Sequence, residues 1–248
     1  MKDIIRIQNL RFQYPGSSSP VLQRLDLCIR ERETFGIIGS TGAGKSTLVF
    51  HLNGILQGTG RVEIAGLPVS KENLRQIRRQ VGIVFQNPDD QLFCPTVYDD
   101  IAFGLIQGGA PPAEISEKVD KILHAFDLTA YASRSSYHLS QGEKKRVAIA
   151  SIMVMTPSIV CFDEPFANLD YQSVFQVIRE IQTLDITKLI VSQDVLLTMA
   201  LCDRIAVLSQ GRILCVDTPR RVMTRQEHLL ARNGLNYRPY LDLIRKFQ

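Results

Sequence analysis

No apolar run in this sequence is long enough to cross a bilayer. The most apolar stretch, Val147 to Phe162, is interrupted by Thr156-Pro157-Ser158. It therefore reads as a helix end, a turn and a buried strand, whereas a spanning helix needs about 20 consecutive apolar residues. If the chain works at a membrane, another chain must supply the spanning part. An apolar leader is also missing: Met1-Lys2-Asp3 runs straight into a strand-like segment, so no secretory signal peptide is expected. Charge of one sign is scarce, since 29 basic and 25 acidic residues leave a formal charge of +4 spread along the chain. That balance is too mild and too dispersed to argue for nucleic acid, and no nucleic-acid partner is expected. The five cysteines, at 28, 94, 161, 202 and 215, are odd in number and never fall at C-x-x-C spacing. Neither a zinc cluster nor a disulfide framework is indicated by that pattern, and the residues read as reduced cytosolic thiols that mostly fill the core. What the sequence does have is apolar content, 45% of 248 residues. That suffices for a sizeable core, in one large domain or a domain with an appendage.

The most informative segment is Gly39-Ser40-Thr41-Gly42-Ala43-Gly44-Lys45-Ser46, which fills the pattern G-x-x-x-x-G-K-[ST] directly after the apolar run Phe35 to Ile38. Glycines let backbone N–H groups ring a phosphate, a lysine meets the β and γ oxygens, and a hydroxyl can bind Mg²⁺. A helix expected from within the motif through Leu48 and Leu52 to Gly54 aims its positive end at the same anion.

Around this segment the pattern predicts short strands at Ile4 to Ile7, Val21 to Arg30 and Arg61 to Ile64, forming a half-buried antiparallel sheet. Val81 to Phe85 is a further buried strand. Val97, Ile101 and Leu105 then recur at helical spacing, as do Ile115, Val119, Ile122, Leu123 and Phe126 after the break at residues 108–112. Residues from about 87 to 138 read as a helical insertion, and with the helical run that follows the helical subdomain extends to about 158. From Ile159 to Leu208 apolar strands alternate with helices, which implies a parallel sheet. Gln210-Gly211 suits a hairpin turn into Ile213 to Val216, and Thr218-Pro219 suits a helix start. The resulting division is a main domain over 1–218 and a C-terminal helical appendage over 219–248. The appendage carries Leu229, Leu230, Leu235, Leu241, Leu243 and Ile244, apolar positions that need covering by its own domain or by another subunit.

Chemistry recurs at Ile159-Val160-Cys161-Phe162-Asp163-Glu164, where two carboxylates stand at the mouth of a buried strand. One can hold the Mg²⁺ hydration shell while the next polarises an attacking water. Gln86, just past its own strand, offers an amide oxygen to the same metal and water. Leu139-Ser140-Gln141-Gly142-Glu143 opens a helical run, and its S-x-x-E spacing is a capping box. A helix start of this kind also presents N–H groups to an anion.

Taken in order, these pieces resemble the ATP-binding cassette (ABC) ATPases over residues 4 to 217: phosphate loop, Gln86, LSQGE signature, Asp163-Glu164, Asn168-Leu169-Asp170, and a switch loop after a strand. The resemblance implies an α/β fold with a P-loop parallel-sheet core, an antiparallel β subdomain, a helical subdomain and a short C-terminal tail. It also implies two cassettes packed head to tail, self or paralogue, with ATP and Mg²⁺ as ligands. Tyr14 would stack on adenine, and Gly39, Ser40, Thr41, Gly42, Ala43, Gly44, Lys45, Ser46 and Thr47 would line the nucleotide. Ser46, Gln86 and Asp163 would hold Mg²⁺, and Glu164 would act as base. Ser140 with Gly142 would meet the γ-phosphate across the pair. Within the family, Phe12-Gln13-Tyr14-Pro15-Gly16, Phe85-Gln86-Asn87-Pro88-Asp89-Asp90-Gln91 and residues 143–150 are similar to the energy-coupling-factor importers of cobalt, nickel and vitamins. That implies a transmembrane coupling subunit, contacted through Asp89 and Asp90, a substrate-binding membrane subunit, and a peripheral place on the cytoplasmic face of the membrane.

The sequence departs from the family at the switch, where Ser192-Gln193-Asp194 stands in place of a Ser/Thr-His-Asp triplet. An amide still donates a hydrogen bond but carries no positive charge, so the expectation is a catalytic set of Glu164, Lys45 and Gln193 that hydrolyses slowly. Gln141 and Glu143 also replace the usual glycine and glutamine of the signature. Two other classes stay open on sequence alone: a soluble cassette ATPase of translation or DNA repair, and a nucleotide-sensing subunit with little turnover.

Overall fold

The computed structural model describes residues 2 to 239 and residue 242; Met1, Leu241, Leu243 and Ile244, which enter the readings above, lie outside the described residues. In chain order the elements are β1 (Asp3–Phe12), β2 (Leu22–Arg30), β3 (Thr34–Ile38), α1 (Lys45–Leu52), β4 (Thr59–Ile64), β5 (Leu67–Pro68) and α2 (Leu74–Gln80). Next come β6 (Val81–Val84), α3 (Val97–Gln107), α4 (Pro112–Ala125), α5 (Gln141–Met153), β7 (Ile159–Asp163) and α6 (Tyr171–Thr183). The chain closes with β8 (Thr187–Ser192), α7 (Val195–Leu201), β9 (Arg204–Ser209), β10 (Arg212–Asp217), α8 (Pro219–Arg225) and α9 (Glu227–Arg232). These elements form two units, one running up to Arg78 and resuming at Thr187, the other Arg79–Ile186.

The first unit holds an antiparallel sheet in the order β2-β1-β4-β5. Ile5 pairs with Ile29 on one side and Ile64 on the other, while Ile7 pairs with Leu27 and Val62. All of these except Val62 are buried, so one face of the sheet supplies core, as period-2 alternation requires. β1 runs longer than its apolar segment predicts because the ladder absorbs irregularities: register shifts bracket Asn9 and Leu10, and Asn9 and Arg24 adopt positive φ. The same unit contains the neighbours β10-β9-β3-β8, with β3 parallel to both β8 and β9. Every residue of β3 and β8 is buried, the pattern of parallel strands covered on both faces. β9 returns antiparallel into β10 through Gln210 and Gly211, whose φ values of 46° and 72° fit a type I′ hairpin.

In the second unit β6 and β7 are parallel, with Val81 opposite Ile159 and Val84 opposite Phe162. α3 starts at the Thr96 N-cap, whose hydroxyl accepts from Asp99 N, and buries Val97, Ile101 and Leu105. α4 begins with Pro112 in its first turn and turns Val119 and Leu123 inward. Buried Asp100 ties the surrounding loops to α3, accepting from the amides of Phe93 and Cys94 at 2.9 Å and from Ser136 Oγ at 2.6 Å. α2 and the two-residue β5 were not expected; α2 buries only Ile77, so no apolar stripe announces it.

The tail forms α8 behind the Thr218 N-cap and Pro219, then α9. Leu230 and Leu235 are buried by the chain itself, and Tyr237 Oη donates to Met223 O at 3.1 Å. That accounts for two of the tail's apolar positions without a second subunit.

Gly211 combines positive φ with a close approach: a Cβ there would overlap the Val21 carbonyl. Gly16 also has positive φ, yet nothing lies within 4 Å of its would-be Cβ. Gly211→Ala is therefore expected to cost about 3 kcal/mol or more and Gly16→Ala only about 1 kcal/mol. Urea denaturation midpoints of the two variants check the difference.

Candidate nucleotide site

The phosphate loop of the first unit leaves the buried end of β3 at Ile38 and enters α1 at Lys45. Gly44, at φ 104°, is the N-cap, and a side chain there would press on Leu22 Cδ2 at 2.9 Å. Gly39 lies so close to β9 that a Cβ would sit 2.5 Å from Leu208 O. Gly42, at φ 79°, faces open space, so its requirement is conformational. The loop rests on the β9–β10 turn, where Gly211 N donates to Ala43 O at 3.1 Å. Lys45 is buried, and its Nζ donates to Gly39 O at 2.8 Å and Ser40 O at 3.2 Å. These bonds curl the side chain back over its own loop, with the ammonium inside the ring of loop backbone. Ser46 is half-buried and Thr47 buried on the first turn of α1, while Ser40, Thr41 and Gly42 range from half-buried to exposed.

Tyr14 is tied to the same helix. Its Oη lies 3.2 Å from Thr47 Oγ1, and its ring meets Phe12 edge-on at 4.8 Å. Phe12 in turn meets His51 edge-on at 4.8 Å, and His51 Nδ1 donates to Thr47 O at 2.7 Å. The four residues close a cycle between the end of β1 and α1. Burial lowers the His51 pKa, which the bond to Thr47 O partly offsets, so the ring is neutral at pH 7. Tyr14 keeps 38% of its surface exposed.

Gln193 reaches this loop through strand register. Ile38 pairs with Ser192, so the residue after β8 lies beside the loop after β3. There Thr41 Oγ1 donates to Gln193 Oε1 at 3.1 Å. The next residue, Asp194, caps α7 by accepting from Leu197 N at 2.9 Å, which fixes the backbone beyond Gln193.

In the second unit β7 ends on Asp163, and both Asp163 and Glu164 are buried. Glu164 has φ 44°, the left-handed region that a β-carbon disfavours, and strain of this kind clusters at functional sites. Lys145, also buried, donates to Phe85 O at 3.1 Å and Gln86 O at 2.8 Å. Burial pushes its ammonium down to about 8, with the charges of Asp163 and Glu164 pulling the other way. One lysine thus holds the backbone at Phe85 and Gln86 and feels the charges of the acidic pair, while Gln86 itself is exposed. The signature forms the predicted capping box: Ser140 N donates to Glu143 Oε2 at 2.8 Å and Glu143 N to Ser140 Oγ at 3.3 Å. Gly142 is buried against Ser173, leaving no room for a side chain, and Gln141 is exposed. Asp89 is ion-paired with Lys144 at 2.7 Å, and Asp90 accepts from Asn87 Nδ2 at 3.3 Å.

Sequence reasoning missed Lys145, Phe12 and His51, and missed Thr41 as partner of Gln193. Lys145 sits in the Lys144-Lys145-Arg146 run, whose three charges do not announce burial. Arg146 is mostly buried as well, paired with Glu180 at 2.7 Å and donating to Phe126 O. The positions of all three on one short helix were the available signal.

A glycine-ringed loop between a buried parallel strand and a helix, with a buried lysine, defines a P-loop nucleotide-binding protein. The ABC transporter family model matches residues 22–167, and the chain belongs to that family, whose members are ATPases. An energy-coupling factor transporter ATP-binding protein, EcfA of Methanothermobacter thermautotrophicus, is 41% identical over 99% of this chain and 80% of its own length. An ABC transporter ATP-binding protein of Streptomyces coelicolor, with no such specific designation, is 42% identical over 92% of this chain and 88% of its own. Among solved structures, CbiO1 of Clostridium perfringens, part of the ABC transporter complex CbiONQ, superposes with TM-score 0.82 at 32% identity, covering 99% of this chain and all of the other. The fold is therefore the ABC ATPase fold expected from the motifs, and the likeness to energy-coupling-factor subunits extends over nearly the whole chain.

Lys145→Met removes the ammonium that two carbonyls accept from and is expected to destabilise the chain by about 1–3 kcal/mol. A matching drop in the urea midpoint checks this, and an unchanged midpoint contradicts it.

Proposed function

We propose that this chain is the ATP-hydrolysing subunit of an energy-coupling-factor type importer, taking up a metal ion such as cobalt or nickel, or a vitamin, through membrane partners. The observation that carries the nucleotide half of this reading is the phosphate loop, pre-formed around buried Lys45 on the β9–β10 turn. The importer half is supported by the near full-length similarity to EcfA. No helix among the described residues is long and apolar enough to cross a membrane, which agrees with a subunit that acts through membrane partners from the cytoplasmic face.

In this reading Tyr14 stacks on adenine, while the amides of residues 39–47 and Lys45 hold the phosphates. Ser46 Oγ, Gln86 Oε1 and the Asp163 carboxylate are all hard oxygen donors, and with few protein carboxylates they suit Mg²⁺, which keeps waters and substrate oxygens in its shell. When bound, the ion neutralises charge on the β and γ oxygens. Glu164 accepts a proton from the attacking water, and Gln193 donates a hydrogen bond to the γ-phosphate. Ser140 and Gly142 of a second cassette, a copy of this chain or a paralogue, complete the site. Asp89 and Asp90 offer carboxylates to arginines of a transmembrane coupling subunit, Asp89 by exchanging its Lys144 partner.

A nucleotide-sensing subunit with little turnover is the second reading, favoured by one observation, the amide at Gln193 in place of an imidazole. Turnover by the full complex separates the two. Glu164→Gln is expected to lower ATP hydrolysis at least about a hundredfold with nucleotide binding retained, and Gln193→His to raise it several-fold. Equal hydrolysis with and without Glu164 contradicts the enzyme. Recovery of the tagged chain with integral membrane subunits supports the importer, and recovery only with ribosomes or DNA contradicts it.

A further inference from the structure

We infer that His51 is a positioning residue for base recognition: through Phe12 it sets the tilt of the Tyr14 ring, and so the plane on which adenine is read. This inference rests on the reading of Tyr14 as the residue that stacks on adenine. Stacking depends on the overlap of two faces and is therefore sensitive to tilt and offset. A hydrogen bond at the phenol tip fixes where the ring ends and constrains its rotation little. Tyr14 has such a tip contact, with Thr47 Oγ1 at 3.2 Å. Its tilt comes from Phe12, whose ring meets it at an interplanar angle of 84°.

Phe12 is half-buried at the end of β1, two residues before Tyr14, and its ring meets the His51 ring at 77°. The imidazole is itself fixed. A carbonyl oxygen only accepts, so Nδ1 carries the proton in the 2.7 Å bond to Thr47 O. That bond reaches back one turn of α1 and holds the ring plane. Nε2 abuts Gly58, where a Cβ would lie 3.2 Å from it and would also overlap the Arg11 carbonyl. Arg11 precedes Phe12 and pairs with Thr59, so the imidazole is wedged between α1, the end of β1 and the start of β4. Nε2 is buried and has no hydrogen-bond partner among the described residues. A buried nitrogen left unmet is costly, and a leucine would fill a similar volume without it. Core filling alone therefore does not account for this side chain, whereas a flat ring held by its own hydrogen bond does. α1 also begins at Lys45, so the helix that places the buried ammonium sets the Tyr14 ring as well.

The test is equilibrium binding of MgATP and of magnesium tripolyphosphate to the full chain, each measured by isothermal titration; the second ligand has the phosphates and no base. His51→Leu is expected to weaken ATP about fivefold and to leave tripolyphosphate within about twofold. A merely structural defect lowers both alike, through loss of folded protein. Phe12→Leu carries the same prediction should His51→Leu not fold. Combined, the two substitutions cost no more than about twofold beyond the larger single loss, because both break one path. In a Tyr14→Ala background neither weakens ATP further. Unchanged ATP affinity in folded His51→Leu or in Phe12→Leu overturns the inference, as does an equal loss for both ligands. If Tyr14→Ala itself leaves ATP affinity unchanged, the stacking reading fails and the inference falls with it.

Discussion

The seat of the phosphate loop on the β9–β10 turn is the contact on which the nucleotide site depends. Gly39 approaches Leu208 O more closely than any side chain permits, and Gly211 N holds Ala43 O. These contacts fix both halves of the loop against a buried parallel sheet, so the loop does not have to order itself around an anion. Preorganised donors of this kind contribute most because no reorganisation is needed when the ligand arrives. The same turn also accepts from β2, where Gln23 N donates to Gly211 O at 2.8 Å. The antiparallel sheet that carries Tyr14 and the loop that carries Lys45 thus share one support.

A second consequence is that Tyr14 and the first turn of α1 are tied into one cycle of contacts. Thr47 is the common member: its hydroxyl meets Tyr14, and its carbonyl accepts from His51, which meets Phe12 edge-on. The neutral state of His51 matters here, because a charged ring would carry an uncompensated cation into an apolar setting. In the second unit Lys145 plays a comparable linking part, joining the backbone at Gln86 to the neighbourhood of Asp163 and Glu164.

Local patterns in the chain were readable where the chemistry is local. The glycine spacing of residues 39–46, the Ser140–Glu143 box and the Gln210-Gly211 turn each depend on a few adjacent residues, and each forms as its pattern implies. The parallel strands were legible because burial on both faces leaves continuous apolar runs. Other features depend on distant register and so leave no local trace. Thr41 meets Gln193 only because Ile38 pairs with Ser192. Lys145 hides in a run of three cations, and α2 carries a single buried residue. Gln193 was legible as a departure from the family pattern, but its contact with Thr41 was not.

Equilibrium binding of MgATP to the full chain and to Lys45→Ala tests the central claim most directly, that the loop is built to hold a triphosphate. The account predicts saturable binding that weakens at least about tenfold when the ammonium is removed, as expected for a charge-assisted contact to phosphate. Equal affinity in the two proteins would contradict it.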